Sequence, residues 1–243
     1  MATQLEKRQM PGPALVPEEQ QGMPSWMWGA LIAAFVGMVL ALVMIPVWVP
    51  TLGASIVGAD PKFYWYLSRA SAMVAFGLLW VSMSSGLIIT NKMARIWPGA
   101  FTAFDLHQFT SLLGLGFAAF HALILLGNAF VPYSLVQIVV PFGNDAYRQK
   151  AVGIGQVAIY LSALVSIAFY VRKRIGNKAW RVIHMFSYGV FALSLMHGVL
   201  AGTDTGNVWI SEMYWFSAIS LVALTVYRVW VSSKQAESKA AKA

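Results

Sequence analysis

The chain has 243 residues, of which 58% are hydrophobic and only 11% are charged. A soluble domain carries about 25% charged residues, so this composition excludes an ordinary water-soluble protein and indicates a membrane protein. With no cysteine the chain forms no disulfide, iron–sulfur cluster or thiolate metal site, and its net charge of +8 reads as charge asymmetry across a bilayer, not as nucleic-acid binding.

Residues 1–24 are polar and proline-rich, and no apolar run follows Lys7 and Arg8. They read as a flexible cytoplasmic tail, not a signal peptide. Six apolar stretches follow, at about 26–49, 66–90, 104–128, 152–171, 180–201 and 210–231. Each approaches the roughly 20 residues a crossing needs, and backbone in hydrocarbon must satisfy its own hydrogen bonds, so each is expected to be a helix. Residues 25–231 then form one all-α membrane domain, a six-transmembrane-helix bundle, and residues 232–243 form a second cytoplasmic tail. The longest loop, about 129–151, holds an apolar segment from Leu135 to Val140 that is too short to cross. It is expected to lie at the interface or act as a lid. There is no internal repeat, and Gly153-Ile154-Gly155 opens a membrane span, which argues against a dinucleotide site.

Lys and Arg fix the expected orientation. Numbering the flanks alternately puts thirteen of them on one side, including Arg172, Lys173, Arg174, Lys178 and Arg181, and three on the other, Lys62, Arg148 and Lys150. This split places both termini in the cytoplasm of a multi-pass cell-membrane protein, such as one of a bacterial cytoplasmic membrane. Arg69 stands apart, inside the second span.

All four histidines lie inside spans: His107 and His121 in the third, His184 and His197 in the fifth. Buried imidazoles need partners, and ionisable groups at membrane depth usually carry function. Both spans run from inside to outside, so His107 and His184 share an inner level and His121 and His197 an outer one. The separations, 14 and 13 residues, correspond to about 21 and 20 Å of helix. Fourteen residues fall about 40° short of four turns, which puts His107 and His121 on one face. Thirteen fall about 140° short, so the second pair needs a kink or bulge, expected near Gly189, or different rotamers. Paired neutral imidazoles in an apolar setting suit haem iron. The reading is two b haems between the third and fifth helices, held without covalent attachment. Gly114 and Gly116, between the histidines of the third span, would let a flat macrocycle approach the backbone. Ordinary small-residue helix packing explains them equally well.

With Leu106-His107-Gln108, His121-Ala122-Leu123, Trp180-Arg181-Val182-Ile183-His184 and His197-Gly198 in view, residues 26–231 resemble the ferric reductase-like transmembrane domain. That superfamily includes the membrane part of NADPH oxidases and the haem subunit of bacterial methionine sulfoxide reductase systems. The resemblance implies that Arg69 lies near the outer haem and meets a propionate or an anionic acceptor, with snorkelling to the headgroups as the plain alternative. Arg181 would similarly meet an inner propionate. The chain departs from the oxidases at three places. Leu125 stands where they carry a further outer histidine. Val190 replaces an inter-haem phenylalanine, leaving Phe191 a shifted bridging role. No flavin or NADPH domain follows the last span.

The expected function is electron transfer from a separate cytoplasmic flavoprotein or quinol donor to an external protein, metal or quinone acceptor. In that reading the chain is the haem-containing membrane subunit of an oxidoreductase. Two alternatives stay open: a quinol-oxidising cytochrome b anchor of a larger respiratory complex, and a non-redox structural membrane subunit.

Overall fold

The computed structural model describes residues 25–48, 62–93, 99–129, 131–143, 145 and 147–240. The N-terminal tail, Arg95 and Trp97 lie outside the described residues. Every described element is helical. In chain order these are α1 (Ser25–Trp48), α2 (Phe63–Thr90), α3 (Ala100–Leu123, extended by a 3-10 turn over Ile124–Gly127), α4 (Leu135–Val139), α5 (Gln149–Tyr170), α6 (Arg172–Ile175), α7 (Asn177–Met185), α8 (Ser187–Ala201) and α9 (Val208–Ala240).

Five segments are long and apolar enough to cross a membrane: α2, α3 with its 3-10 turn, α5, α7 with α8, and α9. In α1 the described apolar stretch, Ser25–Leu40, is shorter than a crossing. The helices present large apolar side chains outward; on α9, Trp215, Phe216, Ile219, Val222 and Val226 are all more than 60% exposed. Such a surface is stable against lipid and not against water.

Two differences from the sequence reading concern helix ends. Residues 232–240 of the C-terminal tail are helical, because α9 continues through Ser232 to Ala240. The span expected at 180–201 is broken, and the break lies at Phe186, not at Gly189. There the Phe186 amide donates to the Ile183 carbonyl at 3.0 Å, a tight i→i+3 bond in place of the α-helical one. The added Cβ of an alanine at 189 would meet only Leu161, at 3.4 Å, so Gly189 is an ordinary packing glycine.

Packing sets up the site. α2 packs closely along α3, and α5 along α8, making two tight antiparallel pairs. α9 closes over α2, where Phe76, Phe191 and Tyr214 form an aromatic core. α3 and α8, one from each pair, make almost no backbone contact with each other. The gap between them is a cavity of about 850 Å³ that runs from Arg181 and Arg228 at one end to Trp65 and Asp204 at the other.

Candidate functional site

All four histidines line this cavity, and they meet in pairs across it. The rings of His107 and His184 have centroids 6.0 Å apart, and those of His121 and His197 are 6.1 Å apart. These separations fit a shared metal. Bonds of about 2 Å on either side of one ion put two donor nitrogens about 4 Å apart and the ring centres about 6 Å apart. The break at Phe186 lies between His184 and His197, which both meet histidines of α3 despite their 13-residue spacing.

Three of the rings are oriented by backbone. His107 Nδ1 donates to the Ser82 carbonyl, His121 Nδ1 to the Ser68 carbonyl and His197 Nδ1 to the Ala151 carbonyl, each at 2.8 Å. A carbonyl cannot donate, so these bonds require a protonated Nδ1 and leave Nε2 as the free lone pair. That is how metal-binding histidines are held in one tautomer. His184 is oriented differently, by stacking on Trp180 with centroids 5.4 Å apart and planes at 30°.

Sequence reasoning missed the residues that seat these rings. A Cβ on Gly155 would lie 2.6 Å from His197 Nδ1, and one on Gly86 would lie 3.2 Å from His107 Cε1. Both positions need glycine so that a ring can lie against the neighbouring helix. The serines carry a visible signal: Ser68-x-x-Ser71 recurs as Ser82-x-x-Ser85, fourteen residues on, which is also the interval between His107 and His121. Each second serine donates to the carbonyl of the first, at 2.9 and 2.8 Å. The absence of an internal repeat therefore holds for long units but not for this short one.

The other expected site residues divide. Gly114 lines the cavity, but its Cα side abuts α2, where a Cβ would meet Leu78 Cβ at 3.3 Å. Gly116 is not on the cavity wall, and a Cβ there would meet nothing. Phe191 points away from the cavity and stacks on Phe76 at 5.7 Å, while Val190 faces the cavity. Arg181 is exposed at the Arg228 end of the cavity, with Nε donating to the Asn177 carbonyl at 3.3 Å.

Arg69 lines the opposite end, beside Trp65, but is not the lone charge expected there. Its Nε donates to Asp204 Oδ2 at 2.7 Å and its Nη2 to Oδ1, forming a two-pronged ion pair. Asp204 lies 135 residues away, so no local pattern announced it. Over this end sits α4, capped by Ser134 and Gln137 in a reciprocal box. Among the described residues, no group of three or more His, Cys, Asp or Glu comes together. The potential metal ligands are the two histidine pairs.

The donor set therefore fits haem iron at both levels. It offers two imidazoles per site, ring separations of a bis-ligated ion, and a largely apolar wall.

The chain belongs to a family described as a domain of unknown function, DUF8596, whose model matches residues 63–204, more than half of the sequence. The matched segment begins at the start of α2, contains all four histidines and ends at Asp204. No curated protein and no solved structure matches the chain.

Proposed function

We propose that this protein is a six-span, di-haem b membrane subunit that carries electrons from the cytoplasmic face to the outer face. The observation that carries the reading is the pair of histidine pairs: rings 6.0 and 6.1 Å apart, at two levels of one cavity. His107 and His184 would hold the inner haem, and His121 and His197 the outer one. Haem supplies reversible one-electron storage. The chain's contribution is to fix three imidazoles through their Nδ1 atoms, to keep water from the ligands and to set the depth of each site.

The reading takes α1 as the sixth span. An even number of spans places both termini on one side. The exposed Lys173, Arg174, Lys178 and Arg181 after α5 mark that side as cytoplasmic. The resemblance to ferric reductase-like domains supports the same arrangement. The donor is a separate reduced flavoprotein or a quinol, and the acceptor lies outside.

The test is haem content. The full-length protein, expressed with haem precursor, is expected to give two b haems per chain in a pyridine haemochrome assay. His184→Ala and His197→Ala are each expected to leave one. A wild-type protein without a Soret band would overturn the reading and favour a structural subunit.

A further inference from the structure

We propose that the outer end of the cavity binds the headgroup of a membrane quinone, with the Tyr133 hydroxyl donating a hydrogen bond to a quinone carbonyl. This names the acceptor in the reading above and rests on that reading for its role, though not for its existence.

Among the described residues lining this end, the charged ones are Arg69 and Asp204, and each is consumed by the other. An anionic acceptor finds no spare cation, and a metal cation finds no spare carboxylate. Tyr147 is also occupied, donating to the Ala201 carbonyl at 2.9 Å. Tyr133 differs. It is 8% exposed, lines the cavity, and its hydroxyl has no hydrogen-bond partner among the described residues. A hydroxyl on the cavity wall with no protein partner is free to donate to a ligand acceptor. The site therefore selects a neutral ligand with a hydrogen-bond acceptor.

Shape and access point the same way. Trp65 and Tyr147 meet edge to face, with centroids 5.3 Å apart, and offer flat aromatic walls beside the His121–His197 level. The roof is rigid. Gln156 Nε2 donates to the Gln137 and Ile138 carbonyls at 2.7 Å, its Oε1 accepts from the Phe142 amide at 3.0 Å, and the Tyr160 hydroxyl donates to the Val139 carbonyl. The roof's outward side is apolar, with Leu135 57% and Val136 66% exposed. A segment like this sits in the headgroup boundary, within reach of a lipid-dissolved molecule. A quinone is flat, neutral, carbonyl-bearing and lipid-soluble. Its conversion to quinol there takes two electrons, delivered singly from the cytoplasmic donor, and two protons from the outer aqueous phase.

The test uses the full-length haem-loaded protein in lipid nanodiscs, titrated with decylubiquinone by calorimetry. One saturable site per chain is expected. Tyr133→Phe keeps the ring and is expected to weaken binding roughly three- to tenfold, the worth of one hydrogen bond. A photoreactive azidoquinone is expected to crosslink within residues 131–147 or 201–205. Absence of saturable binding, wild-type affinity in Tyr133→Phe, crosslinks confined to the cytoplasmic half, or displacement by ferricyanide would each overturn the proposal. Haem is counted in the same samples. Two haems without quinone binding defeat this inference alone, and quinone binding without haem defeats the electron-transfer reading alone.

Discussion

Ser68 and Ser82 stand fourteen residues apart on α2, the interval that separates His121 from His107 on α3. Because the two helices are antiparallel, each serine carbonyl meets one imidazole, both at 2.8 Å. A single register between α2 and α3 therefore orients a ligand at each level. Sliding α2 by one residue would undo both sites together. The closely packed α2–α3 pair thus supplies the α3 half of each site.

The glycine seats give the first prediction. Gly155→Ala places a methyl 2.6 Å from His197 Nδ1, and the helix backbone leaves it nowhere to go. Such overpacking costs roughly 1–3 kcal/mol. The expected result is loss or spectral alteration of the outer haem with the inner one retained. Gly86→Ala, with its contact at 3.2 Å, should disturb the inner haem more weakly. Gly116→Ala, with nothing near its Cβ, is the control and should match wild type. Low-temperature spectra of the reduced α bands would resolve the two sites.

Much of the fold was legible because hydropathy is local. The long apolar helices start within a few residues of the expected spans and, apart from α9, stop within a few residues of them, and part of the Leu135–Val140 stretch forms a short helix beside the cavity. The histidines could be paired by level because two parallel helices keep depth proportional to residue number. What stayed hidden depends on register between distant segments. Asp204 as the partner of Arg69, Ala151 as the acceptor for His197 and Gly155 as its seat each join residues more than 40 positions apart. The break at Phe186 was hidden for another reason. Phenylalanine carries no breaking signal in the sequence.

The Arg69–Asp204 pair changes what removing the arginine should do. Both side chains are about a third exposed, so the pair itself contributes on the order of 1 kcal/mol or less to stability. Its electrostatic effect on the outer site is small while both charges remain. Arg69→Ala leaves a carboxylate, which disfavours the electron-rich state and should lower the outer haem's potential. Asp204→Asn leaves a cation and should raise it. Shifts up to roughly 40 mV, equivalent to about 1 kcal/mol for one electron, are expected. The double variant should fall back near the wild-type value. Redox titration of all three checks this, and shifts of one sign in both single variants would contradict it.

The charge split makes a topological prediction that is easy to read, since the chain has no native cysteine. Ser232→Cys on the C-terminal extension of α9, which the proposed orientation places in the cytoplasm, should resist an impermeant thiol reagent added to intact cells. Ser134→Cys at the α4 cap should react from outside. Swapped reactivities would invert the orientation and with it the direction of electron flow.

The last prediction concerns pH at the outer site. Burial, with the neighbouring Tyr147 adding to it, pushes the Tyr133 hydroxyl up to about 12. Its ordinary value is about 10. A raised value for a group that loses a proton means the neutral form is favoured in the folded protein. The stability it contributes is complete below about pH 10 and is lost as pH rises from there through about 12. Tyr133 is therefore a neutral donor throughout the physiological range. The other titratable side chains at this end of the cavity are Tyr147, whose hydroxyl is held by the Ala201 carbonyl, the mutually paired Arg69 and Asp204, and His121 and His197, whose Nδ1 atoms donate to backbone carbonyls. Quinone affinity should accordingly be flat from about pH 6 to pH 9. An affinity that changes tenfold across that interval would mean that an ionising group, not the Tyr133 hydroxyl, makes the decisive contact.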